Sequence, residues 1–130
     1  MRKAEINKWI DEGGSLPQDL TQEEKDHLTK LGWSVNEHWW GNGQKSYEWN
    51  WFHGKRHGKW ETWERNGQKE YEHHYLHGMK HGANRGWHRN GQLQYEIGYL
   101  HGVSHGVNRR WHKNGQLILD EEWFYGNKIR

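Results

Sequence analysis

The stretch that decides the fold is Trp63–Gly86, WERNGQKEYEHHYLHGMKHGANRG, because the chain repeats its pattern at a fixed interval of 24 residues. Its Asn66-Gly67-Gln68 recurs as Asn42-Gly43-Gln44, Asn90-Gly91-Gln92 and Asn114-Gly115-Gln116. Three residues before each Asn stands a Trp: Trp39, Trp63, Trp87 and Trp111. Five residues after each Asn come Tyr47, Tyr71, Tyr95 and Leu119, and nine after come Trp51, Tyr75, Tyr99 and Trp123. A His-Gly pair follows at His53-Gly54, His77-Gly78 and His101-Gly102, becoming Tyr125-Gly126 at the end; a second closes the first three units at His57-Gly58, His81-Gly82 and His105-Gly106. Self-similarity at a fixed period marks a repeat architecture and takes precedence over other fold cues.

Each unit reads as strand, Asn-Gly turn, strand, glycine turn. Asn-Gly between extended runs signals a hairpin because both residues tolerate positive φ. Between turns the rings alternate, Tyr47, Trp49, Trp51 and then Tyr71, His73, Tyr75, which places each set on one face of a strand. The connections are too short for parallel crossovers. The expected fold is mainly β: a single-layer antiparallel meander of about eight strands, near 34–40, 44–52, 58–64, 68–76, 82–88, 92–100, 106–112 and 116–124. Turn type then decides where the Trp ladder points. A two-residue loop at Asn66-Gly67 sets Trp63 opposite Glu70, away from Tyr71. A three-residue loop Arg65-Asn66-Gly67 with a glycine bulge shifts the pairing by one and sets Trp63 on the face of Tyr71 and Tyr75. The second is preferred because it gathers the rings; it leaves Glu48, Glu70, Glu72 and Glu96 with Thr62 and Glu64 on the other face, and puts Trp60 there too, a point against it.

Composition agrees with a folded chain lacking an aliphatic core. Hydrophobic residues make up only 31%, yet 11 are Trp and 6 are Tyr. Rings bury large areas while keeping a polar edge wet, so they must supply the packing. Residues 1–31 hold 5 Lys+Arg against 7 Asp+Glu; subtracting these from totals of 19 and 17 leaves 14 against 10 on the repeats, or −2 and +4. There is no cysteine, hence no disulfide or thiolate chemistry. No apolar run approaches the ~18 residues of a membrane span, and no signal-peptide stretch opens the chain, so cytoplasmic residence is the default expectation.

The N-terminal segment has another character. Ile6, Trp9 and Ile10 stand at helical spacing, stopped by Gly13-Gly14. Thr21-Gln22-Glu23-Glu24 is a capping box opening a second helix to about Leu31. Residues 1–33 are therefore expected to form a helical cap and residues 34–130 the repeat array.

The run Trp51-Phe52-His53-Gly54-Lys55-Arg56-His57-Gly58-Lys59-Trp60, followed by Trp63-Glu64-Arg65-Asn66-Gly67-Gln68, resembles the MORN repeat, most of all the bacterial variant labelled YwqK-type antitoxin-like. The resemblance covers roughly residues 34–130. It implies a single-layer antiparallel β array used as an interaction surface for proteins or phospholipids and, for the bacterial variant, neutralisation of a partner protein.

No catalytic constellation stands out: there is no nucleophile elbow, phosphate-cradling loop or His-Glu-x-x-His, and Ser15, Ser34, Ser46 and Ser104 lie in no recognisable setting. Neither an enzyme nor a cofactor is expected. The His pairs four apart could line up for zinc or nickel, but glycine turns, absent cysteine and Tyr125 in the last unit favour a packing or hydrogen-bonding role, so no metal is expected. The expected function is a non-catalytic module that binds and occludes a protein partner, in the manner of an antitoxin-like, immunity or phage-type inhibitor protein. Its expected contacts are Trp39, Trp63, Trp87, Trp111, Tyr71 and Tyr95 with Arg65, Arg89 and Arg109, residue types that dominate binding hot spots. Nucleic-acid or nucleotide binding through the aromatic and basic face is the first alternative, and anionic phospholipid binding the second. The last strand, Ile118–Tyr125, offers an edge for homodimerisation.

Overall fold

The computed structural model describes residues 2–130. Two helices, α1 (Lys3–Glu12) and α2 (Gln22–Leu31), precede one open antiparallel sheet. Its strands are β1 (Trp33–Trp39), β2 (Lys45–Phe52), β3 (Lys55–Trp63), β4 (Lys69–Leu76), β5 (Met79–Lys80), β6 (Gly82–Trp87), β7 (Leu93–Leu100), β8 (Val103–Trp111), β9 (Leu117–Phe124) and β10 (Asn127–Lys128). They follow one another as a meander, with β5 extending the line of β6 beside β4. The eight long strands are those expected from the repeat. The two short ones arise because β6 is interrupted at His81 and because the C-terminal tail folds back on β9.

The two kinds of turn divide the work. At Asn66-Gly67 the Gly67 N–H donates to Glu64 O at 3.0 Å and the Glu64 N–H to Gln68 O at 2.8 Å, so the loop is Arg65-Asn66-Gly67 with Gly67 at φ +88°, the expected three-residue loop. Asn66 Oδ1 accepts from the Gln68 N–H at 2.9 Å, an Asx turn repeated in all four units. The first His-Gly pairs are instead two-residue turns with both residues left-handed: His53, His77, His101 and Tyr125 have φ of 49°, 47°, 47° and 45°, each followed by a positive-φ glycine. That is the twist a tight hairpin needs. The second His-Gly pairs are not turns. They sit in bulges within strands, where Trp49 faces Trp60 but Trp51 already faces Arg56.

One further bulge overturns the expected placement of the Trp ladder. Trp63 pairs with Lys69, but Thr62 pairs with Tyr71, leaving Glu70 as an extra residue; Ser46, Gln94 and Ile118 are extra in the same way. Because side chains alternate, one inserted residue exchanges the faces beyond it. Trp60 and Thr62 therefore share a face with Tyr71, His73 and Tyr75, while Trp63 shares the other with Glu61, Lys69 and Glu72. The objection raised by Trp60 was the correct clue. The sheet thus has a ring face and a charge face.

The helices close the first unit. Thr21 and Glu24 form the expected capping box, and the Arg2 guanidinium ties α1 to it through Asp19 at 2.7 Å and Glu24 at 2.8 Å. Those bonds hold the Glu24 carboxyl well below the ordinary range. Ile6, Trp9, Leu28 and Phe52 form the apolar core, with Ile10, Leu16, Leu20, Leu31 and Trp33 around it. Each such buried side chain is worth about 1.5–3 kcal/mol.

In β6, Gly86 lies under the Tyr95 ring, where an added Cβ would stand 2.3 Å from Cε1. Gly86→Val is expected to force the ring aside and destabilise the chain by about 1–3 kcal/mol; urea unfolding measures this, and an unchanged midpoint would contradict the register.

Candidate functional site

The ring face is built by cross-strand neighbours. Tyr47 stacks on Trp49 at 4.2 Å, Trp49 on Trp60 at 5.2 Å with planes 10° apart, and Trp51 and Tyr75 meet Trp60 edge-on at 4.8 and 5.5 Å. Trp60 is only 8% exposed although no second layer covers it, because its neighbours enclose it. Arg56 lies over both Trp60 (5.1 Å) and Tyr75 (5.5 Å), and Lys80 lies over Tyr99 (5.2 Å). Such cation–π contacts give about 0.5–1 kcal/mol at exposed sites. Tyr71 stacks on His73 at 4.6 Å, and His73 Nε2 lies 2.6 Å from the Tyr95 hydroxyl.

Arg110 opposite Tyr95 and Lys128 opposite Trp123 extend the basic set on this face. Of the carboxylates whose face the strand pairing fixes, only Glu121, bonded to Lys128 and Asn108, belongs here. The charge face takes the rest. Across it Glu37, Glu48, Glu61, Glu72, Arg85, Glu96, Arg109 and Asp120 stand opposite one another in register or along adjoining strands. Like charges directly opposed are destabilising, so lysines intervene: Lys45 bridges Glu37 (3.1 Å) and Glu48 (2.7 Å), and Lys69 bridges Glu61 (2.6 Å) and Glu72 (2.9 Å). Burial would lower the Lys69 pKa, but its bonds to Glu61 and Glu72 outweigh that and raise it. The hydrogen bond from His74, backed by Lys69 and Lys59, holds the Glu72 carboxyl well below its usual range. A groove of about 700 Å³ lies between this row and the α1–α2 loop, where Glu37, Glu48 and Glu61 are already paired with lysines.

The expected contact residues are therefore not brought together. Trp39, Trp63, Trp87 and Trp111 lie with the charge face, where Lys45 covers Trp39 (5.5 Å) and Lys69 sits 5.8 Å from both Trp63 and Trp87. Only Trp39 is strongly exposed, at 50%. Tyr71 and Tyr95 lie on the ring face, as expected. Arg65 sits at a turn over Trp40 (5.2 Å), Arg89 at the next turn is almost wholly exposed, and Arg109 lies between Glu96 and Asp120 on the charge face. Trp49, Trp51, Trp60, Tyr75, Arg56, Lys80 and Arg110 take their place beside Tyr71 and Tyr95. For Trp49, Trp51 and Tyr75 the strict alternation of rings along β2 and β4 was the available signal.

The histidines hold repeats together. His57 Nδ1 accepts the His77 N–H at 3.1 Å, His81 Nδ1 the His101 N–H at 3.2 Å, and His105 Nδ1 the Tyr125 N–H at 3.1 Å. Among the described residues no group of three or more His, Asp or Glu is placed to hold a metal ion. No helix there is long and apolar enough to cross a membrane. The outer edge of β9 is partly taken by the chain's own tail, with Ile129 N–H donating to Glu122 O at 2.9 Å and Lys128 paired with Trp123.

The family model described as MORN repeat variant matches residues 56–77 and 80–101. Each span is one Asn-Gly hairpin up to the first residue of the turn that follows it, so the two central repeats match the MORN repeat variant, as the sequence resemblance implied. A comparison with curated proteins found no match, and neither did one with solved structures.

Burial lowers the His73 pKa to about 4, with Lys80 and His74 adding to it, and lowers those of His57 and His81 below the ordinary 6.5. The unfolded chain therefore binds protons that the folded chain refuses. Stability is expected to fall as pH drops from about 6.5 toward 4, with the carboxylates joining the loss only below about pH 5. Urea unfolding between pH 7 and 4 checks this, with His73→Phe giving a shallower slope; a flat profile above pH 5 would refute it.

Proposed function

We propose that this chain is a non-catalytic binding module that occludes a partner protein with its ring face. The observation that carries the reading is the sorting of the two faces. Nearly every fixed carboxylate lies on the charge face, where it is paired, while the open face presents a ring array, densest over β2 to β4, with Arg56, Lys80 and Arg110 along it. Trp, Tyr and Arg are the residue types that anchor interfaces, and a fixed sheet presents them with little ordering cost. An antitoxin-like or inhibitor role belongs to this class and is part of the proposal, as is use as an interaction surface by the MORN repeat variants.

The basic, carboxylate-poor character of the ring face also favours single-stranded nucleic acid. Base stacking, however, needs free ring faces. Here Tyr47, Trp49 and Trp60 are stacked on one another, and Arg56 occupies the outer face of Trp60 and Tyr75. A protein partner needs no free ring faces, because it can pack on the ring edges and hydrogen-bond the cations.

Affinity capture from the native host, followed by mass spectrometry, should return one protein partner. The double variant Arg56→Glu with Arg110→Glu should lose at least about 1.4 kcal/mol of binding, or tenfold, with an unchanged far-ultraviolet spectrum. Trp39→Ala and Arg89→Ala should still bind. If the folded double variant captures the same partner equally well, the ring face is not the contact surface. An oligonucleotide affinity that falls steeply with salt would instead support the nucleic-acid reading, and co-sedimentation with anionic vesicles the phospholipid one.

A further inference from the structure

On the charge face, the half nearest the His-Gly turns carries apolar side chains in every unit, Phe52 and Leu76, then Ala83, Leu100, Val107 and Phe124, interspersed with Lys59, His74 and, opposite Val107, Glu122. In the first unit α1 lies on it. Trp9 packs edge-on against Phe52 (5.7 Å) and His57 (4.6 Å), and Gly13 at the helix end meets Leu76 and the Tyr75 carbonyl. Farther along, the strip opens. Phe52 and Leu76 are 8% and 5% exposed, whereas Leu100 and Val107 are half-buried and Phe124 is 55% exposed.

The seat under α1 has a definite chemistry. His57 Nδ1 accepts from the next turn, so its Nε2 carries the proton and donates to Trp9 O at 2.7 Å, a carbonyl of the last helical turn. The Trp9 indole lies on Gly58, where an added Cβ would stand 2.3 Å from Nε1. His81-Gly82 and His105-Gly106 rebuild this seat. Each imidazole makes the same Nδ1 bond, which leaves the proton on Nε2, and neither Nε2 meets a hydrogen-bond partner among the described residues. Nothing stands within 4 Å of the Cβ position at Gly106, and only His74 Cβ, at 3.8 Å, near that at Gly82.

We infer that the Leu100–Phe124 end of this strip, with His105 and Gly106, is a second binding surface that receives an amphipathic helix of a partner protein. The helix sits as α1 does, a bulky apolar side chain resting on Gly106 beside Phe124 and a last-turn carbonyl accepting from His105 Nε2. The surface is continuous with the α1 interface and lies on the opposite face from the ring array, so it stands or falls independently of the function proposed above.

The probe is a synthetic peptide copying residues 2–14, its helix fixed by a lactam between Lys8 and Glu12, because so short a helix is marginal alone. Its helicity is confirmed by circular dichroism, and it is titrated into the full isotope-labelled chain. Saturable amide shifts are expected at Leu100, His105, Gly106, Val107 and Phe124. Replacing Trp9 by Ala in the peptide, or Phe124→Glu in the chain, should weaken binding at least about tenfold. His105→Phe keeps the ring and loses the donor, and should weaken it too. Absence of saturable shifts, shifts confined to Phe52 and His57, or unchanged affinity with the folded Phe124→Glu and His105→Phe variants would overturn the inference.

Discussion

A sheet one layer thick has no interior, so any side chain that leaves water must be enclosed by its neighbours on the same face. Everything distinctive in this chain follows from that constraint. Aliphatic side chains touch across strands ~4.8 Å apart but are too small to enclose one another, whereas indoles and phenols reach the next strand and beyond. Trp60 is buried because Trp49, Trp51 and Tyr75 surround it and Arg56 lies over it. On the other face the same enclosure is made with long charged side chains, whose methylene stems cover surface while their heads pair. The Lys69 ammonium pairs with Glu61 and Glu72 and also stands near the Trp63 and Trp87 rings.

Which residues share a face depends on one inserted residue per unit. The period, the eight long strands, the three-residue loop at each Asn-Gly and the capping box at Thr21 were legible, because each rests on a local rule: positive φ at glycine, alternation of side chains, an oxygen three residues before a helical N–H. The inserted residue was not legible. Ser46, Glu70, Gln94 and Ile118 share no chemistry, since what places them is the ladder pairing around them rather than any property of their own. The alternating rings of β2 and β4 were correctly grouped, but the ladder Trp residues were assigned to their face across the bulge and so to the wrong side. Trp60, forced by that assignment into water, carried the contradiction. The charge row carried another clue: Arg85 beside Glu96 and Arg109 beside Asp120 make sense as opposed pairs only in the observed register.

The repeats are joined at three levels, and the joints differ in strength. At the Asn-Gly edge, Asn42 and Asn90 side chains donate to carbonyls one unit on, Arg65 O at 2.8 Å and Lys113 O at 2.6 Å. In the middle, rings and ion pairs cross from hairpin to hairpin. At the His-Gly edge an imidazole accepts from the following turn. Each of these hydrogen bonds is worth about 0.5–1.5 kcal/mol, so neighbouring hairpins are coupled, and among the described residues these joints run between adjacent units. Stability in such an array is close to a sum of unit and nearest-neighbour terms.

That sum is uneven from end to end. The first hairpin receives the helical cap and the largest rings, whereas at corresponding positions the later units carry Asn84 and Asn108 for Trp60, Ile97 for His73, and Leu119 for Tyr71 and Tyr95. Apolar area that the cap hides at Phe52 reappears at Phe124, Tyr125 and Ile129. A one-dimensional array opens most readily where its nearest-neighbour terms are weakest, which places the least stable hairpin at the C-terminal end. There the tail supplies a partial remedy, pairing Lys128 with Trp123 and joining Arg130 to Asp120 at 3.4 Å. These exposed pairs are worth little in water. A partner covering Phe124 would add to the last hairpin the kind of burial that α1 gives to the first, so binding there and ordering of the array's end would draw on the same contacts.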